Sequence, residues 1–468
     1  MGRLRIGPDR QTIRSVVVDG TKQRIFSDMQ TQSIIHKVEE PSENSLRYSG
    51  WRIVLACHIC VLVGFAAVFI YSFTLMVKPM QHEFGWNREQ ISRCFTIAAL
   101  SVAMCSPFVG KLLDRFEPRK LITACMIGLG IGLASMAGLT PRLWQLYITA
   151  AFVGVTGSGT YQLGYARVIA TWFQRRLGGA LSVVVAGSSI GSIVLPSLVQ
   201  GSISLYGWRA TYLYLALLPL LLGAPLTWCF VRTSHRSSST PRQPETGNTF
   251  REALASRGFW LLAIGVCCVS LSENGALAHL APMLSDRGLR LADAALVTSV
   301  LGGSGLAGRL LLGWLLDYLE GSHIAAISLL FAGAGIYLLA HSFNFRSAAL
   351  GALLAGLGMG CELDLIPYIL RRYYGLHSFS TLYGSIYCVF CVAGGVAPLL
   401  LGHVFDATGS YTGLLSIFSV LTMIAAIAML ALPKYSGSED NAVQRERLKR
   451  QESDLLNIPE EGVILESH

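Results

Sequence analysis

The chain has 468 residues, of which 52% are hydrophobic and only 14% are charged. Soluble proteins carry about 25% charged residues, so this composition excludes a soluble enzyme, a nucleic-acid-binding domain and a disordered scaffold. The apolar residues instead fall into repeated runs of about 20, the length of an α-helix that crosses about 30 Å of hydrocarbon. The formal net charge of +9 therefore needs a cause other than nucleic-acid binding.

Twelve apolar runs are bounded by charged or turn-forming residues, and each is too long to be a strand. Glycine and proline inside these runs are compatible with membrane helices. The sequence therefore predicts an all-α membrane protein with twelve transmembrane helices in two six-helix bundles. The predicted spans are 52–77, 90–113, 120–139, 143–166, 177–203, 208–232, 258–284, 291–316, 322–342, 347–370, 380–405 and 411–433.

Polar segments divide the chain into five parts. We expect a cytoplasmic tail at 1–49, a first bundle at 50–232, a linker at 233–256, a second bundle at 257–433 and a second cytoplasmic tail at 434–468. The linker is rich in Ser, Pro and Thr with scattered charge, which is typical of a flexible connection between domains.

Lysine and arginine are distributed unequally between the two sides of the predicted membrane. With the N-terminus inside, the inner segments hold 27 of the 37 Lys and Arg residues and the outer segments hold 7. This split follows the positive-inside rule. It predicts that both termini are cytoplasmic and that the basic balance reflects topology and not a nucleic-acid partner. We also expect the membrane to be a bacterial inner membrane.

Alignment of the sequence with itself shows that the two halves of the chain repeat at an offset of about 202 residues. GKLLDRFE at 110–117 aligns with GWLLDYLE at 313–320, and an ordered series of Pro and Gly matches follows the same offset. Two parallel bundles related by an axis along the membrane normal bind their solute at mid-membrane, between halves that move against each other.

The loop between spans 2 and 3, GKLLDRFEPRK, resembles the loop signature of the major facilitator superfamily, with Glu117 where that family usually has Gly. Gly110 lets helices approach closely. Asp114 can pair with a basic residue or a helix N-terminus across the cytoplasmic face, which predicts a gate that stabilises the outward-facing state. The alternative is that these charges only set topology. The predicted gating residues are Gly110, Asp114, Arg115, Arg119 and, in the second half, Asp317.

A narrower resemblance covers most of the membrane region. GFAAVFIYSFTLMVKPM (64–80) and RRLGGALSVVVAGSSIG (175–191) are similar to segments of the monocarboxylate transporters and the bacterial oxalate/formate antiporters. The chain departs from those relatives at Tyr71 and Gly305, where the monocarboxylate transporters have Lys and Asp, and it lacks the antiporter's cation in span 11. One buried cation where relatives use two argues against a dicarboxylate clamp.

Arg309 is the buried cation. It lies eight residues before Asp317, about 12 Å along a helix, and therefore well inside span 8. Its planar donor fork suits a carboxylate, and the resemblance implies an anion-recognising Arg at this place in the monocarboxylate transporters. An ion pair with a neighbouring helix is the alternative.

Glu362 and Asp364 in span 10 are the predicted partners of Arg309. Glu362 lies nine residues before Arg371, so we expect it at the depth of Arg309. A carboxylate there could pair with Arg309 when the site is empty, or take the coupling proton. Simple neutralisation of Arg309 is the alternative.

Other polar residues inside spans are candidates because such residues are costly in a membrane. Span 7 contributes an acid, an amide and an imidazole, although a His near a helix end is often a satisfied interfacial residue. Arg167 near the end of span 4 is a candidate for gating. The remaining substrate-binding candidates are Tyr71, Glu273, Asn274, His279, Tyr161 and Gln162.

These features predict a secondary carrier that works by alternating access and moves a small organic anion, a monocarboxylate, with a proton or by exchange. We expect it to act as a monomer in the lipid bilayer, with no cofactor, metal or catalytic residue. No GxxxxGK[ST] sequence exists to bind ATP. The alternatives are a carrier or efflux pump for a neutral or cationic solute, and a non-transporting receptor derived from a carrier.

Overall fold

The structure is a computed structural model that describes residues 43–45, 47–233 and 247–432. The chain divides into two units, Met1–Ser49 and Gly50–His468. In the first unit, the described residues 43–45 and 47–49 form turns and bends and the first residue of a helix. Most of the predicted tails, and residues 234–246 of the predicted linker, lie outside the described residues.

Ten helices among the described residues are long and apolar enough to cross a membrane. One of these helices contains two spans and a further span is divided into two short helices, which brings the number of spans to twelve. Leu177–Phe230 is a single run of 54 residues, but Gly207 inside it has φ +79° and ψ 168°, so the run is two helices. The fourth span consists of two shorter helices, Leu143–Gly157 and Gln162–Trp172. The predicted number of spans is confirmed.

The six helices of the first bundle follow one another with short connections. Asn87 caps α2 through reciprocal hydrogen bonds with Gln90, and Pro118 occupies the first turn of α3. These helices are α1 Ser49–Phe84, α2 Arg88–Arg115, α3 Pro118–Ala137, α4 Leu143–Gly157 with Gln162–Trp172, α5 177–206 and α6 208–230.

The second bundle begins after a short helix, Phe250–Ala255, which ends the linker. Ser256 and Asn344 cap α7 and α10 by accepting hydrogen bonds from backbone amides of the first turn. The six helices are α7 Arg257–Asp286, α8 Leu291–Leu315, α9 Gly321–Ala340, α10 Phe345–Tyr374, α11 Phe379–Thr408 and α12 Thr412–Met429.

The two bundles pack by the same plan. In the first, α1 packs on α5, α2 on α4, and α3 on α4 and α6; in the second, α7 packs on α11, α8 on α10, and α9 on α10 and α12. The bundles meet where α2 packs on α11 and α5 packs on α8. The repeat detected in the sequence is therefore a structural repeat. The two contacts between the bundles are equivalent, because α2 corresponds to α8 and α11 to α5.

The repeated GxxxD sequences lie at one end of this interface, which we call the joined end because it carries Asp114 and Asp317. A Cβ atom on Gly110 would collide with backbone atoms of Ser380 at the start of α11, and one on Gly313 would collide with residues at the start of α5. Glycine is required at both places because the helices of different bundles approach closely there.

The opposite end, which we call the far end, is tied within each bundle by an arginine. Arg209 of α6 donates to Glu83 of α1 (Nη2–Oε1 2.7 Å) and to the carbonyls of Ala137 and Leu139 after α3. Arg287 after α7 donates in the same way to carbonyls at the end of α9. Each arginine satisfies carbonyl groups that a helix C-terminus leaves without partners.

Candidate functional site

Arg309 of α8 lies between the bundles, with 12% of its side chain exposed. Its Nε donates to the carbonyl of Gly360 in α10 (3.0 Å), and its Nη1 donates to Ser189 Oγ in α5 of the other bundle (2.6 Å). Within residues 47–233 and 247–432, Nη2 has no hydrogen-bond partner. The guanidinium is thus held through Nε and Nη1, and Nη2 keeps its donor capacity.

Asp364 of α10 is the acid nearest to Arg309. Its side chain is fully buried, and its Oδ2 lies 3.7 Å from Arg309 Nε. The hydroxyl of Ser182 in α5 lies beside the carboxylate, so this acid also faces the first bundle. The expectation that an acid of α10 pairs with Arg309 agrees with this geometry.

Of the two acids expected to pair with Arg309, the structure brings Asp364 and not Glu362 next to it. Residues 360 and 364 are one helical turn apart and share the face of α10 that contacts α8, whereas residue 362 lies on a different face. Glu362 instead turns toward Glu273 of α7, and the two carboxyl groups are within hydrogen-bonding reach of each other. Glu362 is 5% exposed.

The first bundle contributes tyrosines near the guanidinium. Tyr71 of α1 and Tyr161 at the break of α4 both lie close enough to Arg309 to feel its charge. Tyr71 begins the helical segment that follows a π-helical stretch, Ala66–Ile70. Both predicted neutral donors are therefore brought to the same region as Arg309.

The breaks in α1 and α4 lie against each other. The amide of Phe65 donates to Thr160 Oγ1 (3.3 Å), and a Cβ on Gly64 would collide with the Thr160 carbonyl. The second half of α4 starts at Gln162, next to Tyr161. A helix N-terminus carries a partial positive charge that favours an anion, so this break adds to the field of Arg309.

Gln162 takes part in a contact between bundles. Its Oε1 accepts from the hydroxyl of Tyr383 in α11 (3.1 Å), and the ring of Tyr161 lies 5.6 Å from that of Tyr387, also in α11. Gln162 is 2% exposed. These contacts place Tyr161 and Gln162 at the interface between the bundles, between Arg309 and the joined end.

Asp114 joins the two bundles at the end of α2. It accepts from the amides of Ser380 (2.9 Å) and Thr381 (2.8 Å), the first residues of α11, and from the Thr381 hydroxyl. Arg167 of α4 forms an ion pair with it and also donates to the Leu376 carbonyl (3.2 Å). Asp114 therefore contacts both a basic residue and a helix N-terminus, the two partners considered from the sequence.

Asp317 makes the equivalent contact after α8. Its Oδ1 accepts from the amides of Gly178 (2.8 Å) and Gly179 (3.3 Å) in the first turn of α5. No arginine or lysine side chain in the described residues forms an ion pair with it, in contrast to Asp114. Burial raises the pKa of the Asp317 carboxyl to about 6, although the two amides and the more distant charges of Arg176 and Arg372 oppose this shift.

Four predicted residues have no contact with Arg309 in the described part of the chain. The amide of Asn274 donates to the Ser270 carbonyl of its own helix (3.0 Å), and His279 contacts the Pro398 carbonyl (3.1 Å) and stacks on Tyr411 toward the far end. Arg115 is exposed, and Arg119 pairs with Glu117 and lies over the ring of Trp228. The structure does not bring Arg115 or Arg119 to the interface between the bundles.

Two partners of Arg309 were not predicted from the sequence. Ser189 lies in the string VAGSSIG, where an isolated hydroxyl has no pattern that distinguishes it from a helix-packing residue. Gly360 acts through its carbonyl, which any residue provides. The break in α4 did have a signal, the GSG at 157–159, because glycines are frequent where a membrane helix is interrupted.

The hydrogen bonds between the bundles are distributed unevenly along the interface. Among the residues that the structure describes, they involve Arg309 itself or residues between Arg309 and the joined end. The far end has only bonds within one bundle in the same residues. The bundles are therefore closed at the joined end.

Comparison with known proteins gives consistent matches. Residues 57–398 match the family model described as Major Facilitator Superfamily. Monocarboxylate transporter 2 of Rattus norvegicus is 21% identical over 411 residues, covering 81% of this chain and 83% of the relative. Monocarboxylate transporter 10 of Danio rerio is 26% identical over 399 residues, covering 82% and 78%. The crystal structure of the E. coli fucose:proton symporter FucP has the same fold, with a TM-score of 0.63 and 14% identity, covering 81% of this chain and 98% of the symporter.

Proposed function

The chain belongs to the Major Facilitator Superfamily, and on that premise we propose that it is a secondary active transporter of a small monocarboxylate. The anion crosses by alternating access, together with a proton or in exchange for another anion. The similarity to proteins named monocarboxylate transporters supports this solute class. The observation that carries the proposal is the position of Arg309 between the bundles with Nη2 available.

Arg309 suits a carboxylate for a geometric reason. The solute binds first at Nη2, and a bidentate pair forms when Ser189 releases Nη1. Because Ser189 belongs to the other bundle, this exchange also loosens a contact between the bundles. Solute binding and bundle movement are thereby linked through one side chain.

The charge around Arg309 limits the solute to one carboxylate. Among the arginines that the structure describes at the interface, Arg167 is the most deeply buried, and it is already paired with Asp114. A second carboxylate on the solute would meet Asp364 and the Glu273–Glu362 carboxyls instead of a cation, at a cost of several kcal/mol.

The remainder of the site favours a small solute. Tyr71 and Tyr161 offer hydroxyl groups to a neutral oxygen beside the carboxylate, and the N-terminus of the second half of α4 adds a favourable dipole. We therefore propose that the solute is a short acid with a hydroxyl or keto oxygen.

The direction of opening follows from the contacts at the joined end. The excess of Lys and Arg assigns this end to the cytoplasm, so the conformation described here is outward-facing. Release of the solute to the cytoplasm then requires the contacts of Asp114 with α11 and of Asp317 with α5 to break.

The test is transport by purified protein in proteoliposomes, with labelled pyruvate, lactate, formate and oxalate in turn. We expect accumulation of a monocarboxylate and little transport of oxalate. Arg309→Gln is expected to lower transport of that monocarboxylate about 100-fold, since it removes a charge-assisted bidentate contact of about 3 kcal/mol. Arg309→Lys keeps the charge and is expected to retain part of the activity.

The control is Arg290→Gln, which removes an exposed arginine whose partner is Asp293 on the same segment. Because Arg309→Gln leaves Asp364 buried without its nearest cation, the double variant Arg309→Gln/Asp364→Asn is measured as well. If a folded Arg309→Gln protein transports the anion like the unmodified protein, the proposed role of Arg309 is wrong. Transport of a neutral or cationic solute that is insensitive to Arg309→Gln would favour that other class of carrier.

A further inference from the structure

The contact between Glu273 and Glu362 requires a proton. A carboxylate oxygen only accepts hydrogen bonds, so two carboxyl groups within bonding reach of each other are stable together only when one of them donates. Oε2 of Glu273 and Oε1 of Glu362 are buried, and no donor in the described part of the chain reaches either. The two groups therefore depend on each other for a partner.

The surroundings of the pair give no counter-charge for a second ionisation. Glu362 borders a small cavity whose other walls are apolar, formed by side chains of α7, α9, α10 and α12 such as Leu262, Val266 and Leu365. Arg309 is the nearest cation, and its charge is already offset by Asp364 at 3.7 Å. Two carboxylates in such a place would cost several kcal/mol.

The charged and titratable groups that face the pair are few. Arg309 comes from α8 and Tyr71 from α1. Among residues that are charged at neutral pH or are histidines, α12 has none, α9 has only His323 at its start, and α11 has His403 and Asp406 in its last turns. Other titratable groups of the helices around the pair are thiols and phenols, which carry no charge at neutral pH: Cys267, Cys268, Tyr337, Tyr368, Tyr383, Tyr387, Cys388 and Cys391. The protonation state of the pair is thus governed by Arg309 and by the anion bound to Arg309.

We propose that Glu273 and Glu362 form an acid pair that carries the coupling proton, while Asp364 remains the ionised partner of Arg309. This inference rests on the proposed function. A solute carboxylate at Arg309 adds a negative charge near the pair and makes its ionisation more costly, so solute and proton bind with positive coupling. The proton enters on one carboxyl oxygen from water at the far end and leaves to water at the joined end, and no other bond is made or broken.

The first experiment measures the proton directly and needs no solute. Infrared spectra of the full-length protein in nanodiscs at pH 7 are compared for Glu273→Gln, Glu362→Gln and Asp364→Asn in the carbonyl stretching region of carboxylic acids. Both glutamine variants are expected to remove or shift the same band, because the two residues share one proton, and Asp364→Asn is expected to leave it. An unchanged band in both glutamine variants, or its loss in Asp364→Asn alone, overturns the inference.

The second experiment measures coupling with pyruvate in proteoliposomes. The unmodified protein is expected to accumulate pyruvate about tenfold per unit of pH gradient, with a matching pH change inside. Each glutamine variant is expected to keep pyruvate exchange and to lose the accumulation and the pH change. Accumulation that survives in both variants refutes the assignment. If the unmodified protein transports none of the four acids named above, the proposed function fails, and the infrared result still decides the state of the pair.

Discussion

Asp114 and Asp317 occupy equivalent positions, but we expect opposite responses to the loss of their charges. Asp317 has no ion-pair partner among the described residues, and burial raises its pKa to about 6 in the joined conformation. When α5 and α8 separate, water reaches the carboxylate and its pKa returns toward the ordinary value of about 3.9. Protonation therefore favours the joined conformation, and Asp317→Asn, which is neutral at every pH, is expected to favour it as well.

The magnitude follows from these two pKa values. Between pH 7 and pH 5 the carboxyl of the joined conformation takes up most of one proton, whereas the solvated carboxyl takes up little. The ratio of joined to separated protein then rises about tenfold by proton linkage. Part of the Asp317 side chain faces water, so screening reduces the expected change to about threefold. The contribution is present below pH 6 and is lost as the pH rises through that value.

Hydrogen exchange of the segment 177–182 measures this equilibrium. The amides of Gly178 and Gly179 lie in the first turn of α5, where no partner within the helix exists, so their protection depends on Asp317. Protection of Asp317→Asn relative to the unmodified protein is expected to be higher at pH 7 and equal at pH 5. Comparison at each pH removes the intrinsic effect of pH on exchange, and the segment 380–385 serves as an internal reference for the other contact.

The reasoning is refuted if Asp317→Asn exchanges faster than the unmodified protein at pH 7. That result would mean that the charge of Asp317 stabilises the contact with α5 more than burial opposes it.

Two further predictions concern the same interface. Asp114→Asn leaves Arg167 buried without its counter-charge. We therefore expect faster hydrogen exchange of the Ser380 and Thr381 amides at all pH values, with a loss of protection free energy of up to about 3 kcal/mol. Unchanged protection would show that the Arg167–Asp114 pair contributes nothing to closure of the joined end. Gly360→Ala places a Cβ against the carbonyl of Gly305 and the amide of Arg309 in α8. This overpacking of about 1–3 kcal/mol is expected to shift Arg309 and to raise the KM for the transported anion. Gly302→Ala is the control and is expected to have no effect, because its Cβ meets no atom within 4 Å.

The number of helices and the duplication could be predicted from the sequence because both depend on apolar length and on repeated residues. The expected boundary between 203 and 208 coincides with Gly207, where a positive φ interrupts a continuous helical run. The break at 158–161 was not predicted, because apolar character continues across it and hydropathy does not respond to backbone geometry.

The candidate site was predicted in part. Arg309 and an acid of α10 could be expected at one depth, because depth follows from counting residues along a helix. Which acid faces Arg309 depends on the rotation of α10 about its axis, and the contact with α8 selects Gly360 and Asp364 over Glu362. The partnership of Glu362 with Glu273 depends on how α7 packs beside α10, a tertiary relation that one sequence does not contain.

The interruptions of α1 and α4 have no counterpart in α7 and α10, which are continuous helices. Among the described residues near Arg309, the Arg, Asp and Glu side chains belong to α7, α8 and α10. The duplicated halves have thus specialised: one shapes the cavity and the other holds its charge. Selection among monocarboxylates and dependence on the pH gradient are therefore expected to be separable by mutagenesis, the first through residues before the linker and the second through residues after it.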